Sequence, residues 1–138
     1  YEPKAIEFHT YIAQCLRRLR LADEGLREYD EAIALQPGAA FARYQKSNYL
    51  RELNRHEHAL AEMDVLLAQQ PRRADYWFHA ANSLRSLARH KEALAAIDKA
   101  LDLDADNPLF LVHRDRSLEL LRVPGRAASN AGAVANRA

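Results

Sequence analysis

The stretch that decides the fold runs from Ala74 to Leu103 and reads ADYWFHAANSLRSLARHKEALAAIDKALDL. In 74–87, Trp77, Ala80, Ala81, Leu84 and Leu87 recur at steps of three and four, which places them on one stripe of a helix. In 90–103, Ala93, Leu94, Ile97, Ala100 and Leu101 do the same. The break between the two stripes, Ala88-Arg89-His90, is short and polar. So short a connection makes the two helices antiparallel neighbours.

Moving outward, the same pattern returns at a fixed distance. Pro37 and Pro71 stand 34 residues apart, and sliding the chain by 34 superposes blocks 6–39, 40–73 and 74–107. Leu16, Leu50 and Leu84 coincide, as do Leu26, Leu60 and Leu94, and Arg17, Arg51 and Arg85. Small residues coincide as well: Ala13, Ser47 and Ala81 in one column, Gly25, Ala59 and Ala93 in another. A small column marks where two backbones come closest, while Trp77, Ile97 and the leucines fill the wider parts of the seam. Pro37 and Pro71 end second helices, since proline lacks an N–H and clashes with the preceding turn. In the third block Asn107-Pro108 makes the break, with Asn107 as an N-cap and Pro108 in the first helical position. Residues 108–121 form a further helix whose Leu111, Leu118 and Leu121 lie in first-helix columns and whose outer side carries Arg116, Glu119 and Arg122. The expected organisation is therefore an array over 1–122, closed by a capping helix at 108–122, with 123–138 a flexible tail or linker. The start at Tyr1 suggests a piece of a longer protein or a processed form.

A 34-residue helix pair with Trp77, Ala80, Ala81 and Leu84 in its first helix and Ala93, Ile97 and Ala100 in its second resembles the tetratricopeptide repeat. The resemblance covers 6–107 fully and 108–122 as a half repeat. The first block departs from it with His9 in the aromatic column and Gly25 where alanine is usual. The second carries Arg43 in the Trp77 column and Lys46 in the Ala80 column, a space for Tyr44 or Phe41 to fill. The phrasing of 82–103 looks most like long bacterial arrays and the peptide-binding arrays fused to glycosyltransferases. The resemblance implies an all-α fold, a right-handed solenoid of antiparallel helix pairs whose concave groove is lined by first helices.

Candidate groove residues follow from the face beside the apolar seam: Tyr11, Gln14 and Arg17; then Tyr44, Gln45, Asn48 and Arg51; then Phe78, His79, Asn82 and Arg85; and His113 on the cap helix. Gln14, Asn48 and Asn82 share a column, and an amide both donates and accepts, so it can pair with a peptide's C=O and N–H together. Related peptide-binding arrays use an asparagine ladder in this column. Tyr11, Tyr44 and Phe78 supply stacking contacts. The arginine row suits carboxylates, unless acids such as Glu52, Asp64 and Asp98 already engage it. Arrays that grip an acidic chaperone tail use a lysine–asparagine clamp. The matching columns here hold Thr10, Gln14, Asn48, Asp75 and His79, and only Asn48 fits.

Other chemistry finds little support. Twenty Lys+Arg against nineteen Asp+Glu leave a formal charge of +1, which gives no reason to expect nucleic acid or an anionic membrane. No apolar run approaches the roughly eighteen residues of a membrane span. The single Cys15 excludes an internal disulfide and fits a reducing, cytoplasmic setting. His56-Glu57-His58 stands in an inter-helix turn and lacks a third metal ligand. His113-Arg114-Asp115 echoes a kinase triplet inside a helix with no glycine-rich loop. No cofactor is expected. The reading is a non-enzymatic module that binds a protein or peptide segment, as an adaptor or co-chaperone-like scaffold. Its rivals are the recognition arm of a larger enzyme and an end-stacking scaffold that weakly self-associates.

Overall fold

The computed structural model describes residues 3–122, and these form seven helices with no strand among them: α1 Pro3–Arg18, α2 Ala22–Leu35, α3 Ala40–Glu52, α4 His56–Gln69, α5 Ala74–Ser86, α6 His90–Leu103 and α7 Pro108–Arg122. The tail expected at 123–138 lies outside the described residues. The chain divides at Pro71 and Arg72 into two compact units. The first holds hairpins α1–α2 and α3–α4, with α2 also against α3; the second holds hairpin α5–α6 with α7 packed on α6.

Each hairpin turns by one device. Arg20, Asn54 and Ala88, 34 residues apart, take the left-handed conformation at φ 61°, 60° and 60°. Their own N–H groups reach the carbonyls of Arg17, Arg51 and Arg85 at 3.1, 3.0 and 3.0 Å. The next residue's N–H reaches one turn further back: Leu21 to Leu16, Arg55 to Leu50 and Arg89 to Leu84, at 2.9, 2.8 and 2.9 Å. These paired bonds satisfy carbonyls that a helix end leaves without partners. The turn is thereby closed one residue earlier than the polar triplets suggest, and His56 and His90 begin α4 and α6 instead of lying in the break. At the head of α7 the Asn107 side chain accepts from the N–H of Leu109 at 3.0 Å and of Phe110 at 3.4 Å, a capped start with Pro108 inside it.

In the first unit the core is Tyr29, Met63 and Leu66, wholly buried, with Ala13, Ala32 and Ala59 at the close approaches. Ser47, in the small column, donates to the carbonyl of Ala59 at 3.1 Å, so its buried hydroxyl is satisfied. Gly25 makes room for a neighbour. A Cβ there would meet the Tyr49 ring at 3.2 Å, and Tyr49 stacks edge-on against Tyr29 with centroids 6.5 Å apart.

In the second unit Ile97, Ala93, Ala100, Tyr76 and Phe110 are buried. Here the expected seam needs a correction of one residue. Trp77 is only half-buried, whereas Tyr76, its neighbour, is 2% exposed. The column of Phe8, Ala42, Tyr76 and Phe110 points more squarely inward than the Trp77 column. Leu118 departs in the other direction. Its column partners Leu50 and Leu84 are buried, but Leu118 is 39% exposed, because among the described residues no second helix follows α7 to cover it.

The second block's departure is resolved by charge instead of aromatic filling. Phe41 is 59% exposed and does not enter the Trp77 column. Arg43 and Lys46 instead converge on Glu62, at 2.8 and 2.9 Å, and Lys46 also meets Asp30 at 2.7 Å. The first block repeats the arrangement in miniature, His9 to Glu28 at 2.6 Å. Both pairs span 19 residues. The corresponding pair in the third block is Trp77 and Ala96, so an ion pair stands where that block has an indole over a methyl.

Candidate functional site

The first helix of a hairpin presents one stripe to its partner helix and leaves the adjoining stripe open. On α1 and α3 that open stripe carries Tyr11, Gln14 and Arg17, then Tyr44, Gln45, Asn48 and Arg51. Tyr11 is 68% exposed; Gln14, Tyr44, Gln45 and Asn48 are half-buried. The arginine column does not behave uniformly. Arg17 forms a two-point pair with Glu52, its Nε donating to Oε2 at 2.8 Å, and its guanidinium lies 5.4 Å from the Tyr49 ring centre. The Glu52 hydrogen bond holds the Arg17 guanidinium above its ordinary pKa, against the effect of burial. Arg51, one repeat on, donates to Oδ1 of Asn48 in its own helix. Burial lowers its pKa.

On α5 the stripe is Phe78, His79, Asn82 and Arg85, at spacings that keep them on one face. Arg85 repeats the Arg51 geometry, donating to Oδ1 of Asn82 at 3.0 Å. It also donates to Nδ1 of His113 on α7, at 2.5 Å. The Phe78 ring lies 4.9 Å from the His113 ring, edge to face, 5.1 Å from Phe110 and 5.6 Å from His79. Burial, then the charge of Arg116, lowers the pKa of Arg85. Burial, Arg85 and Arg116, in that order, lower that of His113.

Five of the expected residues thus meet in one patch of the second unit, and Asn48 with Arg51 meet in the first. Arg17 is drawn away by an acid, as the rival reading of that row allowed. The expectation that an asparagine here pairs with both a C=O and an N–H of a peptide needs revision: the carbonyl end of Asn48 and of Asn82 is already taken by arginine. Two contributors were missed. Phe110 supports Phe78 from beneath, and its aromatic column with Phe8 and Tyr76 was the available signal. Arg116, in the column of Gln14, Asn48 and Asn82, extends the polar row onto α7 as a cation.

Comparison with known proteins places this geometry in context. Residues 74–107 match the family model described as tetratricopeptide repeat. No curated protein matches the chain. Among solved structures, the first tetratricopeptide domain of Spaghetti (RPAP3), bound to the HSP90 peptide SRMEEVD, is 12% identical with a TM-score of 0.78, over 88% of this chain and 96% of that one. The Arabidopsis OM64 tetratricopeptide domain is 21% identical, TM-score 0.74, over 84% and 96%. YrrB, a tetratricopeptide protein with an unusual peptide-binding site, is 23% identical, TM-score 0.72, over 80% of this chain and 57% of that one. Residues 74–107 are a tetratricopeptide repeat, and the chain as a whole is a tetratricopeptide-repeat protein in its fold.

Proposed function

We propose that this chain is a non-catalytic protein-interaction module whose open first-helix faces grip an extended peptide. The observation that carries the reading is the repeated Asn–Arg pair. Asn48–Arg51 and Asn82–Arg85 hold an amide in one orientation at equivalent places 34 residues apart. An arginine can only donate, so it takes the amide's oxygen and leaves the NH2 group for a ligand. Side-chain NH2 groups recognise backbone carbonyls whatever the ligand's side chains are. Exposed Tyr11 and half-buried Tyr44 and Phe78 add the aromatic surface on which binding energy usually concentrates. Two of the similar solved structures, the HSP90-peptide complex and YrrB, are described as peptide binders, which favours the same use here. The lysine–asparagine clamp is not repeated in this sequence, and the ligand is of another kind.

The test is a fluorescent array of extended peptides probed with the purified chain. The wild type retains a subset, and the Asn48→Ala/Asn82→Ala double variant loses at least about tenfold in affinity for it, as two lost hydrogen bonds require. Undiminished retention would remove the amides from the working surface. A self-association reading draws on the exposed Leu109, Val112 and Leu118 of α7. It requires a concentration-dependent mass in sedimentation that Leu118→Glu abolishes.

A further inference from the structure

The polar groups around Arg85 can be sorted by what each has left to offer. A guanidinium donates and never accepts, so both of its partners must present acceptors. Asn82 gives it Oδ1 at 3.0 Å, which turns the amide's NH2 away from Arg85. His113 gives it Nδ1 at 2.5 Å, which leaves the neutral ring's hydrogen on Nε2. Arg85 itself has further N–H groups, and Arg116 lies close enough for its charge to be felt by both Arg85 and His113. Every group left uncommitted in this patch is therefore a donor.

No carboxylate pairs with Arg85 among the described residues. The neighbouring acids are engaged elsewhere: Asp75 accepts from Arg73 at 3.0 and 2.8 Å, and Asp115 lies 3.6 Å from Arg114. The contrast with the first unit is direct, since Arg17 in the same repeat column is closed by Glu52. Half-buried positive charge without a counter-charge is costly unless something supplies one. Alongside lies an apolar shelf, Phe78 backed by Phe110.

We propose that this donor-only patch of the second unit is a carboxylate site, taking an acidic group of the bound peptide with the adjoining apolar side chain against Phe78. The inference rests on the peptide-binding reading and narrows it to a class of ligand. The carboxylate comes from an Asp or Glu side chain or from a chain end, and both present the same two oxygens to Arg85, Arg116, Asn82 and His113.

Three fluorescein-labelled, alanine-based peptides separate the possibilities, each containing one phenylalanine. The first follows it with Glu and ends in an amide, the second has Gln in place of Glu, and the third is the Gln peptide with a free carboxyl end. Polarisation titrations with the full chain are expected to show one acidic probe binding about tenfold or more tighter than the neutral one, the ratio that a charge-assisted hydrogen bond gives. Which acidic probe it is identifies the source. Arg116→Gln, at an exposed position, and Arg85→Gln, checked by thermal melting, should each erase the preference. Arg27→Gln on α2 should leave it. Equal binding of all three probes would overturn the carboxylate site while leaving the peptide-binding reading intact. Binding of none would overturn both.

Discussion

Ala88 sits at φ 60° in the turn between α5 and α6, where a side chain crowds the following carbonyl. Its counterpart Asn54 is a residue that tolerates this conformation, but alanine gains nothing from it. Replacing Ala88 with glycine is therefore expected to raise stability by about 0.5–1 kcal/mol, the left-handed penalty removed less glycine's added chain entropy. Denaturant unfolding of Ala88→Gly checks it, and a lowered midpoint would contradict the turn geometry. Ala93 makes the opposite case. It is 1% exposed at the close approach of α6, so Ala93→Leu should cost about 1–3 kcal/mol by overpacking. An unchanged melting temperature would mean the small column is misplaced. That column was legible because only small residues recur in it. The position of Tyr76 was not, because Trp77 beside it lies on a plausible stripe and sequence alone does not choose between neighbouring aromatics.

At the scale of the helix pair, an ion pair replaces an aromatic contact. Arg43 and Glu62 are each only 15% exposed in their side chains, and Lys46 shares the same carboxylate. Lys46 is penalised by burial, yet its hydrogen bonds to Asp30 and Glu62 raise its pKa overall. Glu62→Ala alone leaves two half-buried cations facing each other and should cost about 2 kcal/mol. Arg43→Trp together with Glu62→Ala copies the third block and should recover most of that loss, since well-packed apolar groups replace such pairs without penalty. A double variant as unstable as the single would contradict the equivalence of the two columns. Helix boundaries were readable from the period, the prolines and Asn107. Partner choice was not. Arg17 and Arg85 share a column, but Glu52 lies 35 residues beyond the first and Leu120 beyond the second. One arginine therefore finds an acid, and the other turns to Asn82 and His113.

For the molecule as a whole, the second unit carries the acid-sensitive part of the patch. His113 has its pKa lowered by burial and by the charges of Arg85 and Arg116. A depressed folded-state pKa means that the unfolded chain takes the proton first, so this stability is present above the ordinary imidazole range. It is lost as pH falls through the lowered value. Thermal melts should show a decline on mild acidification that His113→Gln flattens. An identical slope in the variant would place the titrating group elsewhere. The repeat, the all-helical fold and most of the face residues could be read from the chain because a fixed period repeats their chemistry. The orientation of the amides could not, because it depends on which hydrogen-bond partner each arginine reaches after folding.

The most direct test of the peptide-gripping account follows the side-chain NH2 resonances of Asn48 and Asn82 by nitrogen–proton correlation NMR while a retained peptide is added. Both pairs of signals should shift and resist solvent exchange as the peptide saturates the chain. If they stay unmoved while resonances elsewhere respond, the ligand is held on another surface and the account is wrong.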